Sequence, residues 1–111
     1  MDDRDVKHIL QHLYHSDRLE RYLVRSWRVG AAEVRTMAEE LLMEAHARHP
    51  LTPLEQRMLR ESYLIRKLNR NQLAESFHMS RTTFYRHSLT AMRHLARLME
   101  ERRASCGRHN G

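Results

Sequence analysis

Arginine and hydroxyl side chains occur at close spacing in residues 80–86, SRTTFYR, and more cations lie just upstream in residues 66–70, RKLNR. Arginine can form two parallel hydrogen bonds to a phosphate or to the edge of a guanine, and hydroxyl groups bind phosphate oxygens. This chemistry suits the binding of a polyanion. The candidate binding residues are Ser80, Arg81, Thr82, Thr83, Tyr85 and Arg86 in the first segment, and Arg66, Lys67 and Arg70 in the second.

The basic residues are concentrated in the second half of the chain. The 111 residues have a formal net charge of +6. Residues 1–50 contain 8 basic and 9 acidic residues, a net of −1, whereas residues 51–111 contain 12 and 5, a net of +7. The whole basic excess therefore lies in the half that holds the candidate residues, as a polyanion-binding surface requires. The alternative interpretation is a solvated, arginine-rich face without a partner.

The composition argues against several classes of protein. The chain has no run of about 18 apolar residues, so we expect no transmembrane helix. Its N-terminus, MDDRDVKH, lacks the apolar region of a secretion signal. The single cysteine, Cys106, cannot form an intrachain disulfide, which favours a reducing, cytoplasmic setting.

No sequence pattern indicates catalysis or a cofactor. The chain contains no GxSxG, no HExxH and no glycine-rich phosphate loop, so we expect that it is not an enzyme. His8, His12 and His15 share one helix face at a spacing that can hold zinc or copper. However, that face lies opposite the apolar one and has no cysteine or carboxylate behind it. We therefore favour a solvated histidine face over a metal site.

Almost the whole chain is predicted to be helical, which gives an all-α fold. Apolar residues at helical spacing predict helices over residues 3–15, 16 to about 28, and 31–48, the last ended by Pro50. These three helices would form an N-terminal subdomain, residues 1–50. Because so small a unit has a thin core, it should pack on the rest of the chain or on a second chain. The simplest interpretation places five large apolar residues in the core: Tyr22, Trp27, Met37, Met43 and Met58. Part of this apolar surface, with Trp27 and the flexible methionines, could instead serve partner docking or homodimerisation.

Capping signals delimit the helices of the second half. Thr52 and Glu55, with Pro53 between them, form a capping box that begins a helix running to about residue 67. Asn69 caps the next, short helix. Ser80 caps a long one, and the tail at 104–111 is predicted to be disordered.

The two helices in residues 69–98 have the arrangement of a helix-turn-helix. They belong to a predicted DNA-binding domain over residues 51–103. The second helix can enter a DNA major groove with its N-terminus first. If Phe84, Ser88 and Ala91 face the core, then Arg81, Thr82, Tyr85 and Arg86 point outward from its first two turns. The alternative for Tyr85 is that it packs on a neighbouring helix.

The sequence of residues 51–98 resembles region 4 of bacterial sigma-70 factors and related regulators. The segments that carry the resemblance are LTPLEQRML, ESYLIRKL, NQLAESFHMS and RTTFYRHSLTAMRHL. The shorter segment SRTTFYRH is similar to the corner of TetR-type helix-turn-helix repressors. One departure is His78, which occupies the corner position where the family usually has glycine.

The resemblance implies a sequence-specific DNA-binding transcriptional regulator of bacterial or phage type, with double-stranded DNA as its partner. Residues 1–50 do not provide the promoter-melting domain of a true sigma factor, so a stand-alone regulator or a detached module is expected. The alternative function is a protein-interaction module that binds RNA polymerase or a regulatory partner with little direct DNA contact.

Overall fold

The structure, a computed structural model, describes residues 2–26 and 29–109, without the side chains of residues 24–26 and 105–109. Six α-helices and no strand are present in these residues, which confirms the predicted all-α class. The predicted patch at Trp27 and the tail residues 110–111 lie outside this description. The helices are α1 (Asp3–Gln11), α2 (Ser16–Ser26), α3 (Ala31–Met43), α4 (Pro53–Leu59), α5 (Arg70–Ser76) and α6 (Arg81–His109).

One apolar core joins the two halves of the chain. Helix α1 lies along the second part of α6, α3 packs against both α6 and α2, and the apolar faces of all four helices meet in one cluster. The predicted packing of the N-terminal helices on the C-terminal half is therefore confirmed. The α6 side chains in this core, all at most 6% exposed, are Ala91, Met92, Leu95, Ala96, Leu98 and Met99.

A second, smaller core holds the segment that was predicted to be a helix-turn-helix. Met58 of α4, Leu73 and Ala74 of α5, and Phe84 of α6 are buried together. Phe77 packs against this cluster, with its ring centroid 5.8 Å from that of Phe84. The cluster fixes the first turns of α6 relative to α5.

Helix α3 ends earlier than its sequence predicts. It was expected to reach residue 48, but it ends at Met43, and Glu44 has an extended backbone with ψ at 149°. The buried side-chain amide of Gln56 donates hydrogen bonds to the carbonyl oxygens of Leu41 (2.9 Å) and Glu44 (3.2 Å). This amide satisfies carbonyl groups that a further helical turn would otherwise occupy. Met43, expected in the core, is 56% exposed.

Helix α4 begins as predicted and then changes its winding. The hydroxyl of Thr52 accepts a bond from the backbone N–H of Glu55, whose carboxylate accepts one from Thr52 in return. A π-helical segment, Arg60–Ile65, continues α4. It ends where the N–H of Arg66 bonds the carbonyl of Glu61 and Arg66 turns left-handed, with φ at 56°. This is just short of the predicted end at residue 67.

Both ends of the chain need correction. The predicted first helix over residues 3–15 stops at Gln11, and the following turn brings α2 back against α1, where the hydroxyl of Tyr22 bonds the carboxylate of Asp5. Residues 104–109 were predicted to be disordered, but α6 continues to His109. Arg102 anchors the preceding turn of α6 through ion pairs with Glu40 and Glu44, which the sequence pattern did not reveal.

None of the helices in the described residues is both long and apolar enough to cross a membrane.

Candidate nucleic-acid interface

The capping box that begins α5 forms as predicted. The side chain of Asn69 accepts a hydrogen bond from the N–H of Gln72 at 2.9 Å, and the side chain of Gln72 accepts one from the N–H of Asn69 at 3.0 Å. These two bonds satisfy donors that the first turn leaves unpaired. They fix the start of α5 at Arg70, the last residue of the cationic segment 66–70.

The corner between α5 and α6 is a Schellman motif built on a histidine. His78 is left-handed, with φ at 55°. The N–H of Met79 bonds the carbonyl of Ala74, and the N–H of His78 bonds that of Glu75, each at 2.9 Å. This is the paired bonding that ends many helices, usually with glycine at the left-handed position. The sequence departs here from the glycine that the resemblance leads one to expect, and the structure shows that His78 adopts the left-handed conformation in its place.

Replacing His78 with glycine should stabilise the protein, because a left-handed backbone costs a non-glycine residue roughly 1–2 kcal/mol. The greater freedom of glycine in the unfolded chain offsets part of this gain. We expect the free energy of unfolding, measured by urea denaturation, to rise by up to about 1 kcal/mol. Glu75→Gly, inside α5, serves as the control and should lower it by a similar amount. A destabilised His78→Gly variant would contradict the left-handed corner.

Ser80 and Thr83 fix the first turn of α6. The hydroxyl of Ser80 accepts a hydrogen bond from the N–H of Thr83 at 3.1 Å and donates one to the Thr83 hydroxyl at 3.0 Å. Both side chains are exposed. Their first task is therefore to cap α6, which orients the neighbouring candidates Arg81 and Thr82.

The predicted helical phase of α6 is confirmed by burial. Phe84 and Ala91 are buried, whereas Arg81, Thr82 and Arg86 are exposed. Tyr85 combines the two interpretations: its side chain is 53% exposed, and the ammonium of Lys7 on α1 lies 5.8 Å from its ring centroid.

Five of the predicted residues border one open groove of about 840 Å³ between α1, the π-helical segment and α6. They are Arg66, Arg70, Arg81, Thr82 and Tyr85. The other four predicted residues, Lys67, Ser80, Thr83 and Arg86, are exposed but do not line it. The predicted set therefore divides between a groove and the solvent-facing side of α6.

The solvent-facing side of α6 carries further cations that the sequence prediction did not include. Arg86, Arg93 and Arg97 recur at spacings of seven and four residues, which places them on one helix face, and all three are exposed. That spacing could have revealed them. Arg93 lies 3.8 Å from a carboxylate oxygen of Asp3 and Arg97 lies 3.4 Å from Glu101, so Arg86 carries the least compensated charge of the three.

Most of the positive charges around the groove and the first turns of α6 have no acidic partner among the described residues. No acidic residue occurs between Glu75 and Glu100. Five predicted cations form no ion pair with any described residue: Arg66, Lys67, Arg70, Arg81 and Arg86. Exposed, unpaired cations on one end of a small domain produce the positive potential that attracts a polyanion.

The histidine cluster is less solvated than expected. The ring of His8 packs 4.2 Å from that of Tyr22 and 4.6 Å from that of His12, so α2 partly covers this face. Burial lowers the pKa of His12, as do the nearby positive charges of His8, Arg18 and His15. Within the described part of the chain, no three histidine, cysteine or acidic side chains are grouped so as to hold a metal ion.

Comparison of the chain with protein-family models, with curated proteins and with solved structures gives no match. The resemblance to sigma region 4 and to the TetR-type corner therefore stays a prediction from the sequence.

Proposed function

We propose that this protein is a sequence-specific DNA-binding transcriptional regulator that uses a sigma region 4-like helix-turn-helix. The observation that carries the proposal is the coincidence of geometry and charge. A short capped helix, a left-handed corner and a long helix lie beside five cations that form no ion pair with any described residue. A recognition helix needs both a fixed first turn and exposed cations beside it.

Each part of this surface has a separate role in the proposal. Arg81 and Arg86 reach guanine edges or phosphates from the first two turns of α6. Thr82 and Tyr85 contact phosphate or a thymine methyl group. Ser80 and Thr83 hold the turn, and the upstream cations Arg66, Lys67 and Arg70 neutralise phosphates beside the groove.

The proposal predicts strongly salt-dependent binding to duplex DNA. Each neutralised phosphate adds about 0.9 to the magnitude of the log–log slope, so engagement of all five cations gives a slope of about −4.5. The measurement is fluorescence anisotropy of a labelled duplex titrated with protein at several salt concentrations. Absence of binding to random duplex DNA at low salt would contradict the proposal.

A second candidate function is a protein-interaction module that docks onto RNA polymerase or a regulatory partner. The observation in its favour is a pair of exposed apolar side chains at the α3–α4 junction, Met43 at 56% and Leu54 at 42% exposure. Apolar contacts of this kind depend little on salt. Salt-insensitive binding to purified polymerase that is lost in Leu54→Ser, without binding to DNA, would favour this alternative.

The predicted homodimer is a further part of the proposal, but its interface is not assigned. The apolar faces of α1, α2 and α3 are already used in the core with α6. A dimer would therefore need other surfaces of the N-terminal helices. Selection of bound sequences from a random duplex pool tests this, because a palindromic site implies a two-fold symmetric dimer.

A further inference from the structure

The groove beside the recognition helix has the form of a small-molecule site. Its volume of about 840 Å³ falls within the range of ligand pockets, roughly 300–1,000 Å³. Its floor is made of core side chains, because Leu10, Leu73, Phe84 and Met92 are each at most 9% exposed and all border it. A ligand in this groove would therefore meet packed, apolar protein.

The rim of the groove is basic. Four cations border it, Lys7 from α1, Arg66 from the turn before α5, Arg70 from the start of α5 and Arg81 from α6. No aspartate or glutamate among the described residues borders it. An apolar floor with cations on one rim is complementary to a molecule that has an apolar body and an anionic head.

The wall of the groove contains two polar groups that are buried or partly buried, the hydroxyl of Ser62 and the phenol of Tyr63. The Ser62 hydroxyl oxygen is buried without a hydrogen-bond partner among the described residues. Burial raises the pKa of the neighbouring Tyr63 phenol, while the charge of Arg70 acts in the opposite direction. Both residues belong to the π-helical segment, a distortion that is frequent at functional sites.

We propose that this groove binds an amphipathic organic anion, a carboxylate with an apolar chain. The carboxylate lies between Arg70 and Arg81, within reach of the rim cation Lys7. The chain extends over Leu73 and Phe84 toward the core.

Bound anion and DNA would exclude each other, a consequence that rests on the proposed DNA-binding function. Arg70 and Arg81 are needed for both, and the head of the ligand neutralises charges that would otherwise meet phosphates. An amphipathic carboxylate therefore acts as a negative effector of DNA binding. The ligand site itself does not depend on that function, because its floor and wall are independent of DNA.

The experiment measures ligand binding to the full chain without DNA. Octanoate, octanol and inorganic phosphate are titrated separately, at constant ionic strength, into labelled protein, and amide shifts are followed by NMR. Octanoate should saturate shifts of residues around the groove and bind about tenfold more tightly than octanol, since a charge-assisted contact is worth about this factor. It should also bind at least about tenfold more tightly than phosphate, which has the charge but no apolar chain to bury. Equal binding of octanol would reduce the site to an apolar patch, and equal binding of phosphate would reduce it to a charge cluster. Either result, or unsaturable shifts, overturns the proposal.

Three variants locate the site. Lys7→Ala/Arg70→Ala should weaken octanoate binding about tenfold or more, and Leu89→Trp should block the groove, since Leu89 lines it. The matched control Arg18→Ala/Arg21→Ala removes the same charge from exposed positions on α2 and should leave octanoate binding unchanged. Loss of binding in the control alone would place the site elsewhere and overturn the proposal.

Competition is measured last, by adding octanoate to the protein–DNA complex. If the protein binds octanoate but no DNA, the ligand site stands and the DNA function fails. If it binds DNA but not octanoate, the reverse holds.

Discussion

Replacing Arg81 and Arg86 together with alanine is expected to weaken binding to duplex DNA by about 30-fold or more at a fixed salt concentration. Both side chains are exposed on the first two turns of α6, and neither forms an ion pair with a described residue. No acidic side chain among the described residues therefore pairs with either charge before DNA arrives. A bidentate contact to guanine is worth roughly 1–3 kcal/mol, so two such contacts account for the expected loss.

The variant should alter sequence preference as well as affinity. If the two arginines contact only phosphate, their removal should weaken binding to all duplexes equally and reduce the magnitude of the salt slope by about 0.9 for each arginine. If the two arginines contact guanine edges, their removal should instead relax the preference for the selected site. Anisotropy titrations with a selected duplex and a scrambled duplex, each at several salt concentrations, separate the two roles.

The control removes the same charge from another surface of the molecule. Arg18→Ala/Arg21→Ala lowers the net charge by two on α2, where both side chains are exposed. If the attraction depends on net charge alone, the two double variants should weaken DNA binding equally. Equal weakening would contradict a specific interface on α6, whereas a loss confined to Arg81→Ala/Arg86→Ala would support it.

Truncation of Ile9 to alanine should destabilise the whole protein, including the helix-turn-helix. Ile9 on α1 is fully buried in the core that α1 shares with α6. Removing so much buried apolar volume typically costs about 2–5 kcal/mol, a large part of the stability of a small domain. Helix α6 contributes to this core and also follows the corner at His78, so loss of the core should unfold the helix-turn-helix as well.

Two probes in one urea titration test this coupling. Far-UV circular dichroism reports all helices, and NMR amide signals of α5 report the helix-turn-helix alone. In Ile9→Ala, we expect the unfolding midpoints from both probes to shift together to lower urea concentration. In Ile9→Val the shift should be much smaller, because this substitution typically lowers the free energy of unfolding by only about 0.5–1.5 kcal/mol. If the α5 signals keep their wild-type midpoint while the ellipticity shifts, the two halves unfold independently and the shared core does not couple them.

Much of the local structure could be predicted because it depends on residues three or four positions apart. The boxes at Thr52 and Asn69 and the cap at Ser80 each join a side chain to a backbone group three residues away. The burial phase of α6 follows from the helical period. The uneven charge of the two halves is a property of the sequence alone.

The sequence therefore determined where α4, α5 and α6 begin, that a corner near His78 joins α5 to α6, and which side of α6 carries exposed cations. Only the tertiary structure decided that α3 ends at Met43, because the capping amide comes from Gln56, thirteen residues further on. Likewise, only the packing of α1 along α6 brought Lys7 to Tyr85 and enclosed the groove. These contacts join residues that are distant in sequence, and their energy depends on how whole helices pack, which no local pattern records.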